Sequence, residues 1–231
     1  TKYTGVDGWI EEMTLNKQTE QYNGRLVLTG TLKTPYGTYT IKIDPAHLGA
    51  TVYKKSQDGA VTEITKDGFF GATVLHTKYT EPSGYWETLD LTAPKVEFGK
   101  PVTSISGTLR TPYGEFEIRQ DPLHKGATTY LAYKVGGKLV WETRAISERF
   151  WGDTALDTEH IEYDENGKVV WREVTKLDPG LDDKGLINGE LTIYSGDITT
   201  PYASFKIKQD PRHKGATVYK KSQDGAVTEI T

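Results

Sequence analysis

Cysteine is absent from the 231 residues, which excludes disulfides, thiolate metal sites and thiol nucleophiles together. No apolar run approaches the length that spans a bilayer, and no basic start leads into an apolar signal core, so membrane insertion is not expected. The chain opens on Thr1 rather than Met, as a processed or excised chain would. Aliphatic material is scarce as well: 35% of residues are hydrophobic and there is one Met, too little for one deep core. An excess of basic residues is also missing. Lys and Arg number 28 against 32 Asp and Glu, a net charge of -4, so the chain lacks the basic footprint that phosphate neutralisation requires and nucleic acid is not an expected partner. No Gly-x-Ser-x-Gly, phosphate-loop or His-Glu-x-x-His element occurs, and the chain reads as non-enzymatic and without a cofactor.

What the sequence does contain is repetition. Thr34-Pro35-Tyr36-Gly37 returns as Thr111-Pro112-Tyr113-Gly114 and as Thr200-Pro201-Tyr202-Ala203, in steps of 77 and then 89 residues. Ten residues after each Thr begins an Asp-Pro-x-His element, at Asp44, Asp121 and Asp210. Residues Gly49 to Thr65 are identical to Gly215 to Thr231 over seventeen positions. Thr77-Lys78-Tyr79-Thr80 repeats the opening Thr1-Lys2-Tyr3-Thr4, and Thr158-Glu159-His160-Ile161 is its diverged third copy. These marks divide the chain into 1–76, 77–157 and 158–231, with a loop insertion in the third unit near 177–190.

Three hairpins are legible in each unit. The first turns at Asp7-Gly8, Ser83-Gly84 and Asn166-Gly167, the second at the Thr-Pro-Tyr mark, and the third at Asp58-Gly59, Gly136-Gly137 and Asp224-Gly225. Period-two alternation, as in Glu115-Phe116-Glu117-Ile118-Arg119, supplies the strands between them. The expected fold is all-β: three tandem antiparallel hairpin repeats of about 75–85 residues in an elongated array, with a closed threefold β-body as the alternative.

The recurrent Asp-Pro-x-His pairs a carboxylate with an imidazole, but Asp capping a short turn, Pro at its first position and a following Gly for a left-handed exit explain it as a connection. A metal site would need His47, His124 and His213 to converge on the axis of a closed ring. Asp164-Glu165-Asn166-Gly167 lacks the ligand spacing of a calcium loop and reads as a turn. Trp9, Trp86 and Trp171, with Tyr3 and Tyr79 nearby, form a candidate set of stacking platforms for sugar rings; cross-strand packing is the competing reading.

Aligned with the first unit, Thr231 falls at Thr65, so the segment 66–76 has no counterpart in the third unit. Read as one strand, its loss leaves an assembly edge at Thr1, Lys2, Tyr3, Thr4, Val227 and Ile230, open to β-augmentation by another copy. The functional expectation is a non-enzymatic extracellular or cell-surface structural protein, a stalk, adhesin or fibre subunit, whose partner is itself or a neighbouring repeat. The alternative is a multivalent carbohydrate-binding protein with glycan partners.

Overall fold

A computed structural model describes residues 1–4, 10–47, 49–71, 73–146, 150–151, 154–178, 194–210 and 216–229. The first six strands are β1 (Lys2–Thr4), β2 (Ile10–Tyr22), β3 (Arg25–Thr34), β4 (Gly37–Asp44), β5 (Ala50–Ser56) and β6 (Val61–Ile64). A small hairpin follows, β7 (Phe69–Phe70) and β8 (Thr73–Val74). Next come β9 (His76–Thr80), β10 (Trp86–Leu91), β11 (Ile105–Thr111), β12 (Gly114–Asp121), β13 (Ala127–Val135) and β14 (Lys138–Ala145), then a second small hairpin, β15 (Phe150–Trp151) and β16 (Thr154–Ala155). The last six are β17 (Asp157–Tyr163), β18 (Val169–Asp178), β19 (Tyr194–Thr199), β20 (Ser204–Asp210), β21 (Ala216–Ser222) and β22 (Val227–Glu229).

Eighteen of these strands form one antiparallel sheet in chain order, with only the two small hairpins standing outside it. The expected all-β array is therefore the observed fold. Among the described residues β1 pairs only with β2 and β22 only with β21, so the sheet does not close into the threefold body. Seventeen strand-to-strand steps at ~4.8 Å span about 80 Å along the ladder. The accessible surface of 14477 Å² exceeds the roughly 10,500 Å² of a compact protein of this mass. An open sheet with small cores accounts for the difference, since most strand residues are half-buried or exposed and few are fully buried.

The turns explain the sequence marks. Thr34, Thr111 and Thr200 each accept the amide of the Tyr two residues on through Oγ1, at 3.1, 3.1 and 3.3 Å, while Pro presets the turn. One further tight turn escapes the sequence reading: Asn23 and Gly24, at φ 48° and 75°, join β2 to β3. The corresponding connection in the second unit is the long loop 92–104. The insertion near 177–190 lies almost wholly outside the described residues.

A row of Leu, Gly and Ile crosses three neighbouring strands and recurs along the sheet. Leu15, Gly30 and Ile41 stand opposite one another, as do Leu91, Gly107 and Ile118, and Leu177, Gly196 and Ile207. A Cβ on these glycines would lie 2.1, 2.0 and 1.9 Å from the carbonyl oxygens of Thr14, Asp90 and Lys176. Glycine is required there because the neighbouring backbone occupies the side-chain position. Leu91 and Ile118 are buried with Leu75 and Ile105, and Leu177 and Ile207 with Leu156 and Tyr194. The cores are thus local and small, as the thin hydrophobic supply demands.

The segment 66–76 differs from the expected single strand. β6 pairs directly with β9, and β7 and β8 fold back on each other beside the sheet. Turning out of the sheet lets Phe69 and Val74 pack against Val27, Val52 and Ile64, and Phe70 against the Leu91 cluster. Between β6 and β9 the segment is therefore a cover over the sheet, not one of its strands.

Candidate functional site

The first candidate site is the joint between successive units. In β6·β9 the residues directly opposite are Val61 and Thr80, Thr62 and Tyr79, Glu63 and Lys78, and Ile64 and Thr77. The residues of β22 repeat those of β6, and the residues of β1 repeat Lys78 to Thr80 of β9. Of the edge positions named from sequence, Lys2, Tyr3 and Thr4 stand opposite Glu12, Glu11 and Ile10, leaving the other side of β1 without a strand among the described residues. Thr1 lies outside the strand and exchanges two hydrogen bonds with the Met13 backbone, at 2.7 and 2.8 Å. Val227 is opposite Lys221 and exposed, and Ile230 lies outside the described residues.

The second joint, β14·β17, has a different chemistry. Arg144 stands opposite Glu159, whose side chain is buried and accepts hydrogen bonds from Nε of Arg144 at 2.6 Å and of Arg172 at 2.5 Å. Burial pushes the Glu159 carboxyl up, but the two guanidinium groups pull it down further, and it sits below its ordinary value. Neither this triad nor the Leu-Gly-Ile row emerged from the sequence reading.

Asp-Pro-x-His behaves as the expected connection. Oδ1 of Asp44 accepts the Ala46 amide at 2.8 Å and Oδ1 of Asp121 accepts the Leu123 amide at 2.7 Å, and Gly49 and Gly126 leave at φ 75° and 80°. The imidazole has a second partner that sequence does not reveal. With Nδ1 held 2.7 Å from Oδ2 of its Asp, His47 stacks on Phe69 at 4.5 Å and His124 on Phe150 at 4.3 Å. Each His thereby ties a small hairpin to the sheet. His213 lies outside the described residues, and among the described residues no group of three His, Asp or Glu could hold a metal ion. In the Asp164 turn, Oδ1 accepts the amides of Asn166 and Lys168, both at 2.9 Å, which is turn chemistry.

The two described tryptophans of the nominated sugar platforms project from opposite faces. Trp86 is opposite Thr80, and Asp90, on the same face of β10, leads through Thr108, Glu117, Ala132, Glu142 and Ile161 to Arg172. Trp171, next to Arg172 in the strand, takes the other face. Tyr79 stands opposite Glu87, so it too lies on the face away from Trp86. Tyr3 is exposed in β1, and Trp9 lies outside the described residues.

The faces have distinct chemistry. On the Trp86 side, Arg110 bridges Asp90 and Glu115, and Glu117 binds Lys134 and Arg119. On the Trp171 side a row of directly opposite residues runs Leu109, Phe116, Tyr133, Trp141, Glu162 and Trp171. Phe116 and Tyr133 approach at 5.4 Å, Phe116 and Trp141 at 5.7 Å, and Trp171 meets Tyr202 at 5.7 Å. Trp141, central to this row, was not among the sequence candidates, although its place in the alternation Leu139, Trp141, Thr143 marks its face. Near β6·β9 the same side holds a groove of ≈ 520 Å³ lined by Tyr39, Lys54, Asp58, Thr62 and Tyr79. Burial, then the Glu81 carboxylate, raise the Tyr79 hydroxyl to about 12, so it stays protonated there. Lys54 and Lys220 lie over the Tyr39 and Phe205 rings at 4.0 and 3.9 Å.

Comparison with protein-family profiles and with curated proteins returns no match to this chain.

Proposed function

We propose that the chain is a non-enzymatic structural protein of the cell surface or extracellular space, an extended array for a stalk, adhesin or fibre, lengthened by strand-to-strand joints of the β6·β9 type. The observation that carries this reading is that joint itself. Its two strands recur as β22 and β1, so a β22-type strand and a β1-type strand have the same complementary residues whether the next unit belongs to one chain or to another copy. The open sheet suits a spacer, because adding units adds length without requiring a larger core. Sedimentation velocity of the 231-residue protein over a wide concentration range is expected to show species growing in whole-chain steps. A single monomer boundary up to millimolar concentration would contradict self-association.

The aromatic row and the groove near β6·β9 favour a second reading, a carbohydrate-binding surface, since a run of aromatic rings flanked by carboxylates and hydroxyls suits sugars. Binding on a glycan array that Trp141→Ala abolishes would support it.

A further inference from the structure

We infer that the charged pair facing across each joint sets which strand can follow which, so that the joints are not interchangeable. This inference deepens the proposed assembly role and rests on it for the contact between copies. At β6·β9 the outgoing strand carries Glu63 and the incoming strand Lys78. At β14·β17 the outgoing strand carries Arg144 and the incoming strand Glu159, so the polarity is reversed. The positions correspond: Lys78 and Glu159 are the second residues of Thr77-Lys78-Tyr79-Thr80 and Thr158-Glu159-His160-Ile161, and Thr77 and Thr158 stand opposite Ile64 and Ala145.

Out-of-order pairing then sets like charges against each other. β6 against β17 would place Glu63 on Glu159, and β14 against β9 would place Arg144 on Lys78. Like charges directly opposite in a sheet are destabilising. A chain of closely similar hairpins is prone to exchange partners, and a repulsive element at the wrong pairing is what suppresses that exchange.

The same code defines the partner of β22. Glu229 stands at the place of Glu63, opposite Tyr219 as Glu63 is opposite Tyr53. Lys2 stands at the place of Lys78 and has Glu12 opposite on its own sheet. The strand that fits β22 is β1 of a second copy, with Val227 opposite Thr4, Thr228 opposite Tyr3 and Glu229 opposite Lys2. A strand of the Glu159 type is rejected.

Sedimentation velocity at low salt on four full-length proteins tests this: wild type, Glu229→Arg, Lys2→Glu and the double variant. Each single substitution is expected to weaken association by about tenfold. The double variant, and an equimolar mixture of the two single variants, are expected to recover most of that loss, stopping short of wild type because Lys2→Glu also faces Glu12 across β1·β2. Equal association by all four would overturn the charge code while leaving self-association standing. A wild type that stays monomeric would overturn self-association, and the code is then read at the internal joint. There Lys78→Glu lowers the unfolding midpoint, and adding Glu63→Arg, which also takes the Glu63 acceptor from the Tyr22 hydroxyl, costs less than the sum of the two single losses; simple additivity of those two substitutions would overturn the code.

Discussion

Replacing Gly107 by Ala is expected to lower stability by about 3 kcal/mol, roughly a 10 °C fall in Tm for a chain of this size. The added Cβ would sit 2.0 Å from the Asp90 carbonyl oxygen and 2.7 Å from the Leu91 Cα. Both are backbone atoms of the adjoining strand, so no side-chain rotation relieves the clash, and β10 and β11 must separate. Separation also opens the space in which Leu91 and Ile118 are buried. Ser106→Ala, one position back on the opposite and exposed face, should leave stability within about 0.5 kcal/mol of wild type. Because each core is local, amide exchange in Gly107→Ala should rise in β10 to β13 and stay near wild type in β18 to β21. Uniform loss of protection would show instead that the sheet unfolds as one unit.

Glu159→Gln is expected to cost about 2 kcal/mol at neutral pH. Breaking a buried ion pair by removing one partner costs roughly 3–5 kcal/mol, and the smaller figure allows for rehydration of the two arginines. Their side chains are 48% and 64% exposed, against 3% for Glu159. The effect depends on pH in a definite direction. The Glu159 carboxyl lies below its ordinary 4.5 in the folded chain, so below that value the unfolded chain takes up its proton first. The stabilisation is complete above pH 4.5 and is lost as the pH falls through the folded value. Urea unfolding should therefore separate wild type from Glu159→Gln at pH 7 and bring them together in acid. A difference that persists unchanged in acid would mean that the side chain stabilises by packing alone.

The strand array was legible because its signals are local. Alternation in Glu115 to Arg119, the Pro and Gly of the turns and the Asp cap of Pro122 each act within a few residues. The contacts that organise the sites are not local. His124 reaches Phe150 across the chain, and Glu159 gathers Arg144 and Arg172 from both neighbouring strands. The faces of Trp86 and Trp171 were beyond counting from the turns, because a register shift between Glu162 and Tyr163 leaves Val170 unpaired and moves Trp171 to the other face. Two features were within reach. Gly30, Gly107 and Gly196 each precede the Thr-Pro-Tyr mark by four residues inside a strand, and an interior strand glycine signals close backbone approach. The change from Lys2 and Lys78 to Glu159 stands in the aligned marks, but its meaning appears only when the opposing Glu63 and Arg144 are placed.

Small-angle X-ray scattering extrapolated to zero concentration tests the open array most directly. A ladder of about 80 Å gives a radius of gyration of about 23 Å or more, with the cross-section of a thin ribbon. A value near 17 Å, that of a compact chain of about this length, would contradict it.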